Sequence, residues 1–226
     1  VFFHLMLNLP STSLNKPLSD YKNSNIMSNY SLNKQPIILA STSPFRQQIL
    51  EKLCLPFTCQ NPHVNEDVLT DESAHDLVAR LSHAKAQAVA HNFPNNLIIG
   101  GDQVALINGK IIGKPLNFAN GLKQLQQASG QIITFYTGLC LLNSSTGSSQ
   151  TIVEPFKVHF RQLTDAMITS YLNKEQPYHC AGSFKSEGLG IALFSRLEGK
   201  DPNTLIGLPL ISLIEMLNNE GIEVLS

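Results

Sequence analysis

The chain has 226 residues, 42% of them hydrophobic, enough to bury one sizeable core because the fraction of surface removed from water rises with length. Its 16 Lys and Arg stand against 17 Asp and Glu, a net charge of -1. That balance excludes a broad cationic surface for long nucleic acid, yet permits a small phosphate ligand held by a few cations in one cleft.

Val1 to Pro10 is apolar but short, with no basic segment before it and no small-residue cleavage site after it, so it is not read as a secretion signal. No run reaches the ~18 apolar residues of a membrane span. Cys54, Cys59, Cys140 and Cys180 lack paired metal-ligand spacing and read as free thiols in a reducing compartment. A cytoplasmic location without a membrane partner is the expectation. Ser11 to Gln35 is rich in Ser, Asn and Lys with little periodicity, which predicts a disordered extension over residues 1–35 and a folded domain over 36–226. Met27, inside that polar stretch, offers an alternative translation start.

Ile37-Ile38-Leu39-Ala40 suits a buried strand, and Ser43-Pro44 then supplies an N-cap and a first helical residue. The spacing of Leu77, Leu81, Ala84 and Ala88 predicts a helix from the acidic pair Asp71-Glu72 to Pro94. Leu97-Ile98-Ile99 reads as a buried strand running into Gly100-Gly101-Asp102, which sets Asp102 at a strand end. Val104 to Ile107 and Ile111-Ile112 form a hairpin across Asn108-Gly109. A helix follows over Asn117 to Gln127, then strands over Ile132 to Leu142 and Thr151 to Phe160. Asp165 to Asn173 is helical, Gly190 to Phe194 a strand, and a polar loop leads to a last helix with Leu210, Leu213, Ile214 and Leu217 on one stripe before Gly221. The alternation describes an α/β domain without internal repeats.

Several of these segments carry chemistry. In Ala40-Ser41-Thr42-Ser43-Pro44-Phe45-Arg46, hydroxyls, free helix N–H groups and a guanidinium meet at one helix start, a setting that favours an anion. Taken alone, an ordinary N-cap with a solvent-facing Arg is the simpler account. Asp102 follows two glycines that allow close approach of a ligand, and such a carboxylate binds a metal or orients water; a turn aspartate is the competing account. Lys85 falls on the long helix, where a solvated lysine is the simpler account, whereas Lys114 is held between the turn formers Gly113 and Pro115. Cys180 to Gly188 mixes small residues with Lys185 and Glu187, a composition found in pocket-lining loops and plain surface loops alike. His179 beside Cys180 is a poor nucleophile and base pair, because chain neighbours rarely meet in the required geometry.

Taken jointly, Leu39 to Arg46, Lys85-Ala86, Gly101-Asp102-Gln103, Gly113-Lys114-Pro115, Ala181 to Gly188 and Gly207-Leu208-Pro209 resemble the Maf family of nucleotide pyrophosphatases in order and spacing, from about Pro36 to the C-terminus. Thr42-Ser43-Pro44 before an aromatic, Asp102-Gln103, and Ser183 to Gly188 look closest to the branch acting on 7-methyl-GTP. The resemblance implies an elongated, curved, mixed β-sheet flanked by helices, a cleft for a triphosphate with its divalent metal (Mg²⁺ or Mn²⁺), and often a homodimer. It implies Asp102 as proton acceptor and candidate metal ligand, Phe45, Gln103 and Glu187 as specificity positions, and Ser43, Arg46, Lys85 and Lys114 on the phosphate side. Three positions depart from the family pattern: Phe45 replaces Trp, Gln47 replaces a basic residue, and Gly101 replaces Ser or Ala.

The mechanism implied is attack of an Asp102-oriented water on the α-phosphorus, with pyrophosphate leaving and no covalent intermediate. An inosine- or xanthosine-triphosphate pyrophosphatase, and a non-catalytic nucleotide-sensing regulator of cell division, stay open as alternatives.

Overall fold

Ile37–Ala40 (β1) is apolar at every position because it is covered on both faces. In the computed structural model, which describes residues 35–226, Ile37 and Leu39 pack toward the C-terminal helix α6 (Leu210–Asn219), and Ile38 and Ala40 toward the long helix α2 (Ala74–Ala90). The extension expected over residues 1–35 lies, Gln35 apart, outside the described residues.

β1 pairs in parallel with β2 (Phe57–Cys59) on one side and with the start of β3 (Leu97–Ile107) on the other. Beyond β3 the sheet is antiparallel, through β5 (Ile132–Asn143) and β6 (Ser149–Phe160) to β7 (Phe194–Glu198). β4 (Lys110–Ile112) folds back on the end of β3, beside the path β2-β1-β3-β5-β6-β7, and is the seventh strand of the sheet among the described residues. This is the mixed α/β sheet flanked by helices that the sequence implies.

The hairpin between β3 and β4 turns as expected, with Asn108 and Gly109 both at positive φ (49° and 77°), the pair of left-handed residues a tight two-residue turn needs. A second core lies under α3 (Phe118–Ala128) and α4 (Asp165–Glu175), where Phe135, Phe156, Phe160 and Leu172 are buried. Phe184 stacks edge-on against Phe194, ring centroids 4.7 Å apart, and so pins the loop that carries Glu187 to this core. No helix among the described residues is long and apolar enough to cross a membrane.

Two sequence expectations are corrected. The segment Gly190 to Phe194 is not a strand: Leu189–Leu193 winds as a 3-10 turn and β7 begins at Phe194. Gly190 sits so close to the preceding loop that a Cβ would stand 2.2 Å from the Lys185 carbonyl oxygen, so its glycine serves a tight chain crossing. The polar loop after it contains a short helix, α5 (Pro202–Ile206), capped by Asp201 and opened by proline.

Second, Asp102 does not end a strand. β3 runs unbroken for 11 residues, held by β5 from Leu97 to Leu106. Gly100 faces α2, where a Cβ would fall 2.0 Å from the Ser82 carbonyl oxygen. That glycine answers a packing demand, not a turn.

Candidate active site

β1 releases β3 at Gly100, and β4 takes it up again only at Ala105. Between them, Gly101 to Val104 lacks a neighbour on that edge, and the gap opens a cleft of about 510 Å³. Successive side chains on a strand point to opposite faces, so Asp102 turns toward α2 and Gln103 toward α5. Only at such a gap can both line one cleft.

Lys85, on the inner face of α2, is 6% exposed and Asp102 7%, so neither is a solvated surface group. Lys85 Nζ donates to Asp102 Oδ1 at 2.7 Å and meets Glu66 Oε1 at 2.6 Å. A buried lysine requires such partners, because an unpaired charge in this setting is strongly destabilising. Glu66 comes from the loop between β2 and α2 and is itself exposed. Partial desolvation beside the cleft wall pushes the carboxyl up, but the Lys85 hydrogen bond and charge, aided by Lys114 and Arg46, outweigh that and hold it below its usual value.

Ser43 caps α1 (Pro44–Glu51), its hydroxyl accepting the Arg46 backbone N–H at 3.4 Å. Arg46 Nε donates to the Gly207 carbonyl at 2.9 Å, which explains the Gly207-Leu208-Pro209 motif: Gly207, at φ 120°, bends the chain to present that oxygen. The two terminal guanidinium nitrogens have no hydrogen-bond partner among the described residues. Burial lowers the Arg46 pKa against the pull of Asp102 and Glu66, and an arginine starts so high that it stays charged at neutral pH.

Phe45 is half-buried on the cleft wall and belongs to none of the core clusters. Lys114 is exposed at the cleft, as is Glu187, whose carboxylate accepts, among the described residues, only from Ser186 Oγ at 3.3 Å. All eight residues singled out from the sequence line this one cleft: Ser43, Phe45, Arg46, Lys85, Asp102, Gln103, Lys114 and Glu187.

Residues 36–220 match the family described as Maf-like protein. The chain belongs to the Maf family. It is also 57% identical over 199 residues to the 7-methyl-GTP pyrophosphatase of Vibrio vulnificus (strain CMCP6), a match that covers 88% of this chain and 100% of that protein.

Against the Maf pattern, two of the three departures are mild in structure. Gln47 is exposed, hydrogen-bonds Glu51 at 3.4 Å and does not line the cleft. A Cβ at Gly101 would meet nothing nearer than Arg46 Nε at 3.4 Å, an ordinary contact, so an alanine would fit there. Glu66 is a charged cleft residue that the sequence did not single out. Its setting, Asn65-Glu66-Asp67, is a polar loop without periodicity, and nothing local marks Glu66 as the carboxylate of that loop that joins Asp102 on Lys85.

Proposed function

We propose that this Maf protein hydrolyses 7-methyl-GTP to the monophosphate and pyrophosphate. The observation that carries the reading is one cleft holding an anchored carboxylate, Asp102, three cations, Arg46, Lys85 and Lys114, and an aromatic with two hydrogen-bond acceptors, Phe45, Gln103 and Glu187. The name of the Vibrio relative supports an enzyme over a sensor, and 7-methyl-GTP over an inosine or xanthosine nucleotide.

Lys85 fixes Asp102 through Oδ1, and Oδ2 has no hydrogen-bond partner among the described residues. That oxygen orients a water and takes its proton as the water attacks the α-phosphorus in line with the departing pyrophosphate. The free ends of Arg46 and the Lys114 ammonium bind phosphate oxygens and balance the charge that grows on the leaving group. Water serves as the nucleophile, so no covalent enzyme intermediate forms.

No group of three or more His, Cys, Asp and Glu side chains able to hold a metal occurs among the described residues. The donors present fit a metal that takes the rest of its ligands from phosphate and water: Asp102 and Glu66 converge on Lys85 Nζ, and Mg²⁺ characteristically uses one or two carboxylates with substrate phosphates. Mg²⁺ or Mn²⁺ held by Asp102 and Glu66 would neutralise triphosphate charge. Chelator treatment is expected to lower turnover by roughly 10²-fold, with recovery on adding Mg²⁺ or Mn²⁺. Full turnover in chelator would remove the metal from this scheme.

A 7-methylated guanine carries positive charge, and its attraction to the Phe45 ring contributes ~0.5–2 kcal/mol, less for Phe than for Trp. Glu187 accepts from the base's donor edge while opposing its charge. Accordingly kcat/KM for 7-methyl-GTP relative to GTP, dTTP, UTP and ITP is expected to rise in Phe45→Trp and to fall in Phe45→Ala and Glu187→Gln. Pyrophosphate release from the panel measures it. A preference unmoved by all three substitutions would remove these two residues from substrate selection.

A further inference from the structure

Pairing across the sheet sets Gln103, Thr137 and Glu154 opposite one another on β3, β5 and β6. They form a polar rung on a face whose next β5 residues, Leu139 and Leu141, are core. Thr137 is fully buried and Glu154 is 8% exposed, so each polar atom needs a partner.

The partners come from α5. Gln103 Nε2 donates to the Thr204 carbonyl at 2.8 Å and to Thr137 Oγ1 at 2.9 Å, with the Leu205 carbonyl at 3.2 Å. The Thr137 hydroxyl gives its own proton to the Thr204 carbonyl at 3.0 Å, so toward Gln103 its oxygen only accepts. Main-chain carbonyls only accept as well. Three acceptors admit the amide NH₂ and reject the amide oxygen, which decides the orientation by chemistry. Glu154 seats α5 in turn, accepting from Thr204 Oγ1 at 2.9 Å and from Ser212 Oγ on α6. Gln103 Oε1 has no partner among the described residues, and Gln103 lines the cleft.

We infer that Thr137 is a positioning residue for base selection. Together with α5 and Glu154, it locks the Gln103 amide so that the cleft meets only its acceptor oxygen. This rests on the 7-methyl-GTP reading and deepens it, because Gln103 and Glu187 then offer acceptors from two different walls. Such a pair suits guanine, whose N1–H and 2-amino group lie side by side. Hypoxanthine lacks the amino group, and in uracil or thymine carbonyls flank a single N–H, which a fixed acceptor repels.

The test is the ratio of kcat/KM for GTP over ITP, nucleotides that differ only in the 2-amino group. Wild type favours GTP, and Thr137→Val lowers the ratio by roughly 5- to 10-fold, mainly through KM for GTP. Thr137→Ser, which keeps the hydroxyl, retains the wild-type ratio. In a Gln103→Met background, which itself lowers the ratio, adding Thr137→Val lowers it no further, since the two residues act as one unit. Should Thr137→Val not fold, Thr137→Ala removes the same hydroxyl with less crowding and takes its place. An unchanged ratio without the hydroxyl, an equal loss in Thr137→Ser, or additive losses in the double variant each overturn the inference. Pyrophosphate release from 7-methyl-GTP by the wild type reports separately on the parent reading.

Discussion

Asp102→Asn is expected to leave the fold intact and lower kcat by roughly 10²-fold or more, the scale of losing a positioned general base. The substitution is nearly isosteric, and the backbone pairing of position 102 with Gly138 does not involve the side chain. The new amide oxygen still accepts from Lys85, and Glu66, at 2.6 Å, still neutralises that buried ammonium. Stability therefore has little reason to change. What disappears is the basic Oδ2, since an amide cannot take a proton from water at neutral pH. Thermal melting beside turnover of 7-methyl-GTP separates the two effects. Near-normal turnover in well-folded Asp102→Asn would remove Asp102 as the base.

The largest structural effect is expected from Gly100→Ala. The added Cβ would stand 2.0 Å from the Ser82 carbonyl oxygen and 2.9 Å from the Ala86 nitrogen, both backbone atoms of α2 that no rotamer change can move aside. The helix must shift as a body, and overpacking of this kind costs about 3 kcal/mol. For a domain of this size that lowers the Tm by roughly 6–12 °C. Turnover should fall too, because Lys85 sits between Ser82 and Ala86 on the segment that is pushed away. Gly101→Ala is the control: its Cβ finds ordinary contacts, so Tm should move by no more than about 2 °C. A wild-type Tm in Gly100→Ala would mean that α2 does not lie as close to β3 as described.

Much of this was legible because it is local. Ser43 before Pro44 caps a helix with its own hydroxyl, and Asn108-Gly109 turns the hairpin because those residues tolerate positive φ, whereas the long helix begins at Ala74 under a Ser73 cap and not at the acidic pair Asp71-Glu72. The separated motifs carried the family and all eight cleft residues. Other features depend on register and on chain segments far apart. Gly100-Gly101 read as a strand end, yet β5 carries β3 straight through, and the first glycine exists for a helix that packs on it. Lys85 looked like a surface lysine until α2 was laid against β3. Glu66 joined it from a loop that no periodicity distinguishes. The rung of Gln103, Thr137 and Glu154 exists only because three strands align in one register under α5. Capping and turning satisfy backbone groups within a few residues, so sequence alone determines them. Burial of a charge and orientation of an amide are set by partners 17 to 102 positions away, and only the tertiary structure brings those together.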